Sequence, residues 1–74
     1  MKPYERRATG QVTYYKLATW DAVSHTWRDG RRTYHSPERA RLAALKEGRG
    51  RYRISRVIVG QPRVDLEPFE IISE

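Results

Sequence analysis

"SPERARLAALKEG", residues 36–48, is the stretch that decides the fold class. Ser36 is a favourable N-cap residue, and Pro37 fits the first helical position, where a missing N–H costs nothing. Glu38 places a carboxylate in the positive first turn of a helix. Strong helix formers follow as far as Gly48, a residue type that commonly lies just beyond the last helical turn. The stretch therefore predicts an α-helix over residues 37–47.

The faces of this helix are not cleanly divided into apolar and polar. Leu42 and Leu45 lie on one side, whereas Ala40, Ala43 and Ala44 lie closer to the other. Because leucine buries more apolar surface than alanine, we expect the leucines to face the core and the alanines to lie at its rim.

The segment before the helix is rich in β-branched and aromatic residues. "QVTYYKLATW", residues 11–20, predicts a first strand. In "TWRDGRRTY", residues 26–34, Asp29-Gly30 stands between two β-prone flanks and favours a two-residue type I′ turn, since both central residues need positive φ. We therefore expect a β-hairpin. The pairs that would face each other beside its turn are Arg28–Arg31 and Trp27–Arg32.

Two further β-prone segments follow the helix. They are "RYRISRVIV" (51–59) and "RVDLEPFEII" (63–72), and "GQP" between them predicts a turn. With the loop centred on residues 61–62, opposite charges face each other across the two strands, which favours this register. The expected charge pairs are Arg53–Glu70 and Arg56–Glu67. Because Pro68 has no N–H to donate, the last strand should lie at a sheet edge or be bulged.

Together these segments predict an α+β fold. We expect a small antiparallel sheet of four to five strands, in the order β-β-(β)-α-β-β, with one helix packed on a face. Seventy-four residues are enough for one small domain, predicted here over residues 11–74. Residues 1–10 show no periodicity and predict a flexible N-terminal arm.

The composition restricts the compartment and the cofactors. The chain contains no cysteine, which excludes a disulfide scaffold and a thiolate zinc site and suits a reducing cytoplasm. No apolar run reaches the length of a membrane helix or of a signal peptide. We therefore expect a cytoplasmic protein with no membrane partner. His25 and His35 have no neighbouring cluster of ligands, so no metal or other cofactor is expected.

Charge is unevenly distributed along the chain. All 15 Lys and Arg residues lie in residues 1–63, with five acidic residues, whereas residues 64–74 contain four acidic residues and no base. The two segments carry +10 and −4, which gives the net charge of +6. Twelve of the bases are arginine, whose planar guanidinium binds phosphates and carboxylates and stacks on rings. A GC-rich genome would produce the same arginine excess without a functional cause.

The candidate binding residues are basic and aromatic positions of the predicted strands. Arg49 and Arg51 have no acidic partner in the predicted hairpin, and the 28–32 turn carries three more arginines. Nearby aromatic rings could supply stacking surfaces for bases. The predicted set is Trp27, Arg28, Arg31, Arg32, Tyr34, Arg49, Arg51 and Tyr52. The competing interpretation is a solvated, partly ion-paired strand face.

No arrangement of residues predicts catalysis. Ser24 and His25 are neighbours only in sequence, whereas a nucleophile and its base meet through space. The glycines at 48 and 50 lack the strand–loop–helix context of a phosphate-binding loop. We therefore expect that the protein is not an enzyme.

Residues 13–45 loosely resemble the arm-type DNA-binding domain of phage integrases. The matching positions are Trp27, Arg28, Gly30, Arg31, Arg32, Tyr34, Ser36, Glu38 and Ala40. In that family a three-stranded antiparallel sheet precedes a helix, and basic strand residues enter the major groove. The resemblance implies DNA contacts by the arginines of the turn. Because the second predicted hairpin departs from that pattern, the chain is not assigned to the family.

Two functions from different classes remain open. The first is a small basic, non-enzymatic binding module that contacts nucleic acid or another anionic surface through Arg and aromatic strand positions. The second follows from a similarity to the small accessory proteins of phages and mobile elements. It implies a protein that binds an acidic surface of a host protein and blocks that host protein. An enzyme is the third and least supported function. No sequence pattern separates the first two or sets the oligomeric state.

Overall fold

A computed structural model describes residues 13–72. These residues form a five-stranded antiparallel sheet with one α-helix, which is the predicted α+β class. The elements are β1 (Thr13–Asp21), β2 (Thr26–Tyr34), α1 (Pro37–Glu47), β3 (Gly50–Ile58), β4 (Val64–Asp65) and β5 (Phe69–Ile71). Two of these strands precede the helix and three follow it. The N-terminal arm predicted at residues 1–10 lies outside the described residues.

The sheet has the strand order β2–β1–β3–β4, and β5 pairs with the same edge of β3 as β4 does. β4 and β5 therefore act as one interrupted edge strand. The interruption contains Pro68, which cannot donate to a ladder, so the edge or bulge expected there is confirmed. Helix α1 connects β2 with β3, contacts β1 between them, and covers one face of the sheet.

Helix α1 begins and ends where the sequence predicts. The Oγ of Ser36 accepts a hydrogen bond from the N–H of Arg39 at 3.2 Å, and Pro37 lies in the first turn. Gly48 has a φ of 105°, which favours glycine, and its N–H donates to the carbonyl of Ala44 at 3.1 Å. Local capping chemistry thus sets both ends of the helix.

The prediction for the faces of α1 is wrong. Ala40 and Ala44 are fully buried, whereas Leu42 and Leu45 are 58% and 53% exposed. Small side chains on the buried face let the helix backbone approach the sheet closely. The strands then supply the large side chains that fill the core, namely Leu17, Tyr52 and Ile54. The leucines consequently lie outside the helix–sheet contact.

The hairpin predicted at Asp29-Gly30 is also wrong. The chain reverses at residues 22–25 instead, and β2 continues through the dipeptide. In the observed turn, Asp21 Oδ1 accepts hydrogen bonds from two backbone N–H groups, at 2.9 and 3.3 Å. His25 closes the turn with a left-handed φ of 58°. The early turn gives β1 a nine-residue partner strand, which a turn at position 29 would have divided in two.

Gly30 lies at a bulge in β2. Asp29 faces Ala18, but three residues, 30–32, lie opposite Leu17 before pairing resumes. Gly30 does not have a positive φ, and a Cβ there would lie 3.3 Å from the carbonyl oxygen of Leu17. Glycine therefore permits a close approach of β2 to β1 and not a turn. The predicted pairs Arg28–Arg31 and Trp27–Arg32 are replaced by Thr19–Arg28 and Trp20–Trp27.

The register predicted for the last hairpin is wrong for a related reason. The turn is centred on Val59-Gly60, where Gly60 has a φ of 88° and the N–H of Gln61 donates to the carbonyl of Ile58 at 3.0 Å. Glycine adopts this conformation readily, so the chain reverses two residues earlier than predicted. In place of the expected pairs Arg53–Glu70 and Arg56–Glu67, Arg51 faces Glu70 and Arg56 faces Val64.

Candidate functional site

The two faces of the sheet carry different chemistry. Because side chains alternate along a strand, Leu17 of β1 and Ile54 of β3 face α1 and belong to the core. Their chain neighbours Ala18 and Arg53, which also face each other, lie on the opposite face. Within residues 13–72 no helix covers that opposite face.

Five residues on this uncovered face form what we call the sheet-face network. Arg63 donates to both carboxylate oxygens of Asp29 at 2.8 Å and to Ser55 Oγ at 3.0 Å. Ser55 in turn donates to Asp65 Oδ1 at 2.6 Å. Nη1 of Arg53 lies 3.5 Å from Asp65 Oδ2. Each arginine of the network therefore has a carboxylate partner.

Aromatic rings extend this network. The guanidinium of Arg53 lies 4.7 Å from the ring centre of Trp27, and that ring meets Trp20 edge-on at 5.2 Å. Beneath these side chains Ala18 and Ser55 are fully buried. The network and the tryptophans thus cover the sheet in place of a second layer of secondary structure. Arg53 and Arg63 therefore contribute to the packing of this sheet face.

The pKa values on this face are shifted in the directions that pairing requires. The hydrogen bond from Arg63 lowers the pKa of Asp29, and that from Ser55 lowers the pKa of Asp65. The hydrogen bond to Asp29 raises the pKa of Arg63. All three shifts favour the charged forms, so Asp29, Asp65 and Arg63 are ionised at neutral pH.

The opposite side of the molecule contains what we call the α1–β2 groove, between the helix and the edge strand. It consists of two adjoining cavities of about 630 and 490 Å³ that share Arg32 and Tyr34. The larger cavity places cationic side chains beside apolar ones: Arg32, Arg39 and Lys46 beside Tyr34, Leu42 and Leu45. The smaller cavity lies over the β2 bulge and is lined by Arg28 and Arg31 together with two acidic residues, Asp29 and Glu47.

Most cations of this groove have no carboxylate partner in the described part of the fold. Four exposed cations form no ion pair within residues 13–72: Arg31, Arg32, Arg39 and Lys46. Arg28 lies 3.5 Å from Asp21, but its side chain is 75% exposed, so solvent weakens that pair. No aspartate or glutamate lines the larger cavity. The larger cavity can therefore accept an anion without losing an internal contact.

The structure brings four of the eight predicted binding residues together and separates the others. Those that line the groove are Arg28, Arg31, Arg32 and Tyr34. Trp27 lies on the opposite face, against Arg53. Arg49 and Arg51 line a cleft of about 400 Å³ at the far sheet edge, where Arg51 faces Glu70.

Tyr52 is withdrawn from the surface, contrary to its predicted role as an exposed stacking ring. It is only 3% exposed, and its ring stacks on Phe69 with the centres 5.9 Å apart. Its hydroxyl donates to the carbonyl of Gly48 at 2.8 Å, and burial raises its pKa. The burial of Tyr52 was predictable from the sequence, since Tyr52 and Ile54 are two positions apart in β3 and therefore lie on the same face of the sheet, towards the helix.

Sequence reasoning missed the helical wall of the groove. Arg39, Leu42 and Lys46 are spaced three and four residues apart, so they share one flank of α1. That spacing was visible in the sequence. These residues form an exposed wall only if the opposite face of the helix is buried. Because the leucines were expected to be buried, the wall was not predicted.

Within residues 13–72, no cluster of three or more His, Cys, Asp or Glu could hold a metal ion. The helix found there is too short and too polar to cross a membrane. Comparisons with protein-family models, with curated proteins and with solved structures found no match. The resemblance to integrase arm-type domains also weakens, because within residues 13–72 two strands and not three precede the helix.

Proposed function

We propose that the protein is a small, non-enzymatic, cytoplasmic binding module that holds an anionic partner in the α1–β2 groove. The observation that carries the proposal is the contrast between the two faces. Arg53 and Arg63 on the sheet face are paired with carboxylates. Four groove cations form no such pair within residues 13–72 and are exposed, namely Arg31, Arg32, Arg39 and Lys46. Exposed cations on a concave surface attract anions through the field they create together.

The geometry suits an elongated anionic partner. The bulge displaces Arg31 and Arg32 from regular pairing and places them at one wall of the groove. Arg39 and Lys46 form the other wall. An anionic group lying between the walls would meet guanidinium donors from one side and a mixture of guanidinium and ammonium donors from the other. Guanidinium forks can bind both phosphate and carboxylate in bidentate fashion, which suits both partner classes that the sequence suggests.

Those two partner classes are nucleic acid and an acidic protein surface. A nucleic acid would be held by its phosphates, with release of counterions. An acidic protein would be held by carboxylates, as in an accessory protein of phage or mobile-element type that blocks a host factor.

Edge protection is the competing explanation for the β2 arginines. A bulge and positive charge on an exposed edge strand discourage pairing with other chains. If that were their only role, removal of the charges would increase aggregation and leave anion binding unchanged.

Titration of the whole chain with three polyanions tests the proposal. Labelled single-stranded DNA, duplex DNA and poly-L-glutamate are each added at two salt concentrations, and binding is followed by fluorescence anisotropy. The variant R31A/R32A removes two groove charges, and the control R51A/R56A removes two exposed charges from β3. If duplex DNA binds, log K should fall with log salt concentration, and each phosphate contact contributes about 0.9 to the steepness of that fall. R31A/R32A should therefore make the fall less steep by about 2.

The outcomes separate the explanations. A loss of affinity in R31A/R32A that is absent from the control supports the groove. An equal loss in both variants would show binding by net charge alone and would remove the assignment to the groove. The absence of binding to all three polyanions at low salt would show that the proposal is wrong.

A further inference from the structure

Apolar surface lies inside the positively charged part of the groove. Leu42 and Leu45 of α1 are 58% and 53% exposed, and both line the larger cavity together with the ring of Tyr34. The fold does not need them there, because the contact between α1 and the sheet is made by Ala40 and Ala44. Two half-exposed leucines on one helix flank are the kind of surface that a partner covers.

The charge around these leucines has one sign. Arg32, Arg39 and Lys46 line the same cavity, and no aspartate or glutamate does. A complementary partner must therefore carry carboxylates or phosphates at its margins and apolar groups at its centre.

We infer that the occupant of the groove is an acidic, amphipathic segment of a partner protein. This inference rests on the proposed function and names the partner of the same site. Its apolar side chains would cover Leu42 and Leu45, and its carboxylates would pair with the cations of the two walls. Helix α1 has eleven residues and is about 16 Å long, so a partner helix of three turns would match it. Such a helix would present apolar anchors at positions i, i+3 or i+4, and i+7.

A nucleic acid is a poorer complement to this surface. Phosphates would satisfy the cations, but the leucines would gain little from a charged backbone. Bases prefer aromatic and guanidinium planes, and the larger cavity contains such planes at Arg32, Tyr34, His35 and Arg39, but Leu42 and Leu45 offer none. The leucines are therefore the feature that separates the two partner classes.

Residues 1–12 of the chain itself are also a poor complement. They contain Lys2, Arg6 and Arg7 but one acid, Glu5, so they would be repelled by the groove. A second copy of the chain has a net charge of +6, and the described part of its acidic segment, residues 64–72, is already engaged in the sheet through β4 and β5.

The test selects peptides that bind the whole chain and then measures how their affinity depends on the groove residues. A display library of randomised 16-residue peptides is selected against the wild-type protein. The affinities of the enriched peptides are then measured on L42A/L45A, on R32A/R39A and on the control V59A, which truncates an exposed valine in the β3–β4 turn. A single-stranded oligonucleotide is titrated in parallel. Circular dichroism and urea unfolding establish that each variant is folded.

We expect the enriched peptides to combine acidic residues with apolar residues at helical spacing. Their Kd should rise at least tenfold in both groove variants and stay unchanged in V59A. Anion binding that depends on Arg32 and Arg39 but not on the leucines would overturn the inference and leave the proposed function standing. Independence from all four residues would overturn both. Oligonucleotide binding that is lost in L42A/L45A, or a dimer of the protein that this variant dissociates, would also overturn the inference.

Discussion

Arg63 and Asp29, 34 positions apart in the chain, form a bidentate ion pair in which both donor–acceptor distances are 2.8 Å. Arg63 lies just before β4 at one side of the sheet, and Asp29 lies in β2 at the other. The pair therefore spans the two central strands, β3 and β1. Since Asp29 immediately precedes the bulge at 30–32, a contact on the sheet face fixes the strand segment whose arginines line the α1–β2 groove.

Loss of this ion pair should destabilise the protein modestly. Both side chains are more than a third exposed, so we expect Asp29→Asn or Arg63→Lys to lower the free energy of unfolding by about 1 kcal/mol. Arg63→Lys keeps the charge and loses the planar fork. Urea unfolding of the single variants and the double variant would give the coupling between the two residues. Arg56→Lys, at an exposed position outside the network, is the control, and a stability of R63K equal to that of R56K would refute the pairing.

The same network should make the protein less stable in acid. The pKa values of Asp29 and Asp65 are lowered in the folded state by hydrogen bonds from Arg63 and Ser55, respectively. A carboxyl with a lowered folded pKa contributes stability above its unfolded value of about 3.9 and loses it as the pH falls through the folded value. The free energy of unfolding should therefore fall below about pH 4. In D29N/D65N this dependence should be shallower, whereas in the control E67Q it should persist; equal slopes in all three proteins would contradict the assignment.

Local interactions made the ends of the helix predictable, but they did not determine the positions of the hairpin turns. Ser36, Pro37 and Gly48 act through contacts within a turn of their own position, so their roles could be derived without the rest of the fold. Asp29-Gly30 has an equally strong local signal, but a turn there would have divided the partner strand of β1. Pairing of β1 with one long strand, stabilised by Trp20 against Trp27, outweighs it.

The candidate site was half predictable for the same reason. Arg31 and Arg32 were selected for their charge, and charge is visible in sequence. Their association with Leu42 and Leu45 depends on which face of α1 is buried, which the close helix–sheet packing decides. The sheet-face network was missed because its partners come from β2, β3, β4 and the turn before β4, and they meet only in the correct register.

The packing of α1 predicts losses of stability of different size for two neighbouring substitutions. Ala44→Leu inserts a large side chain into a fully packed contact and should lower the free energy of unfolding by about 1–3 kcal/mol. Leu45→Ala removes a half-exposed side chain at a helical position and should cost less than about 1 kcal/mol. Thermal and urea unfolding of the two variants would measure the difference. A larger loss in L45A than in A44L would mean that the leucines, and not the alanines, face the sheet.

The N-cap of α1 offers a local test of helix stability. Ser36→Ala removes the acceptor of the 3.2 Å hydrogen bond from the N–H of Arg39 and should cost about 1 kcal/mol. Ser36→Asp keeps an acceptor and should retain most of that stability. Far-ultraviolet circular dichroism during urea unfolding would report both variants, and an S36A protein as stable as the wild type would show that the cap contributes nothing.

The position of the last turn can be tested at Gly60. Its φ of 88° lies in the region that L-residues avoid, and nothing lies within 4 Å of a Cβ added there, so any cost of Gly60→Ala comes from the backbone. A left-handed conformation costs a non-glycine residue about 1–2 kcal/mol, and the lower entropy of the unfolded alanine chain returns part of this, which leaves a loss of about 1 kcal/mol. D-alanine at the same position, introduced by chemical synthesis, favours positive φ and should restore the stability. Gln61→Ala, one residue later in the exposed turn, should change the free energy of unfolding by no more than about 0.5 kcal/mol. Equal stability of the L-alanine and D-alanine proteins would place the turn elsewhere, and with it the register that brings Arg53 to Asp65.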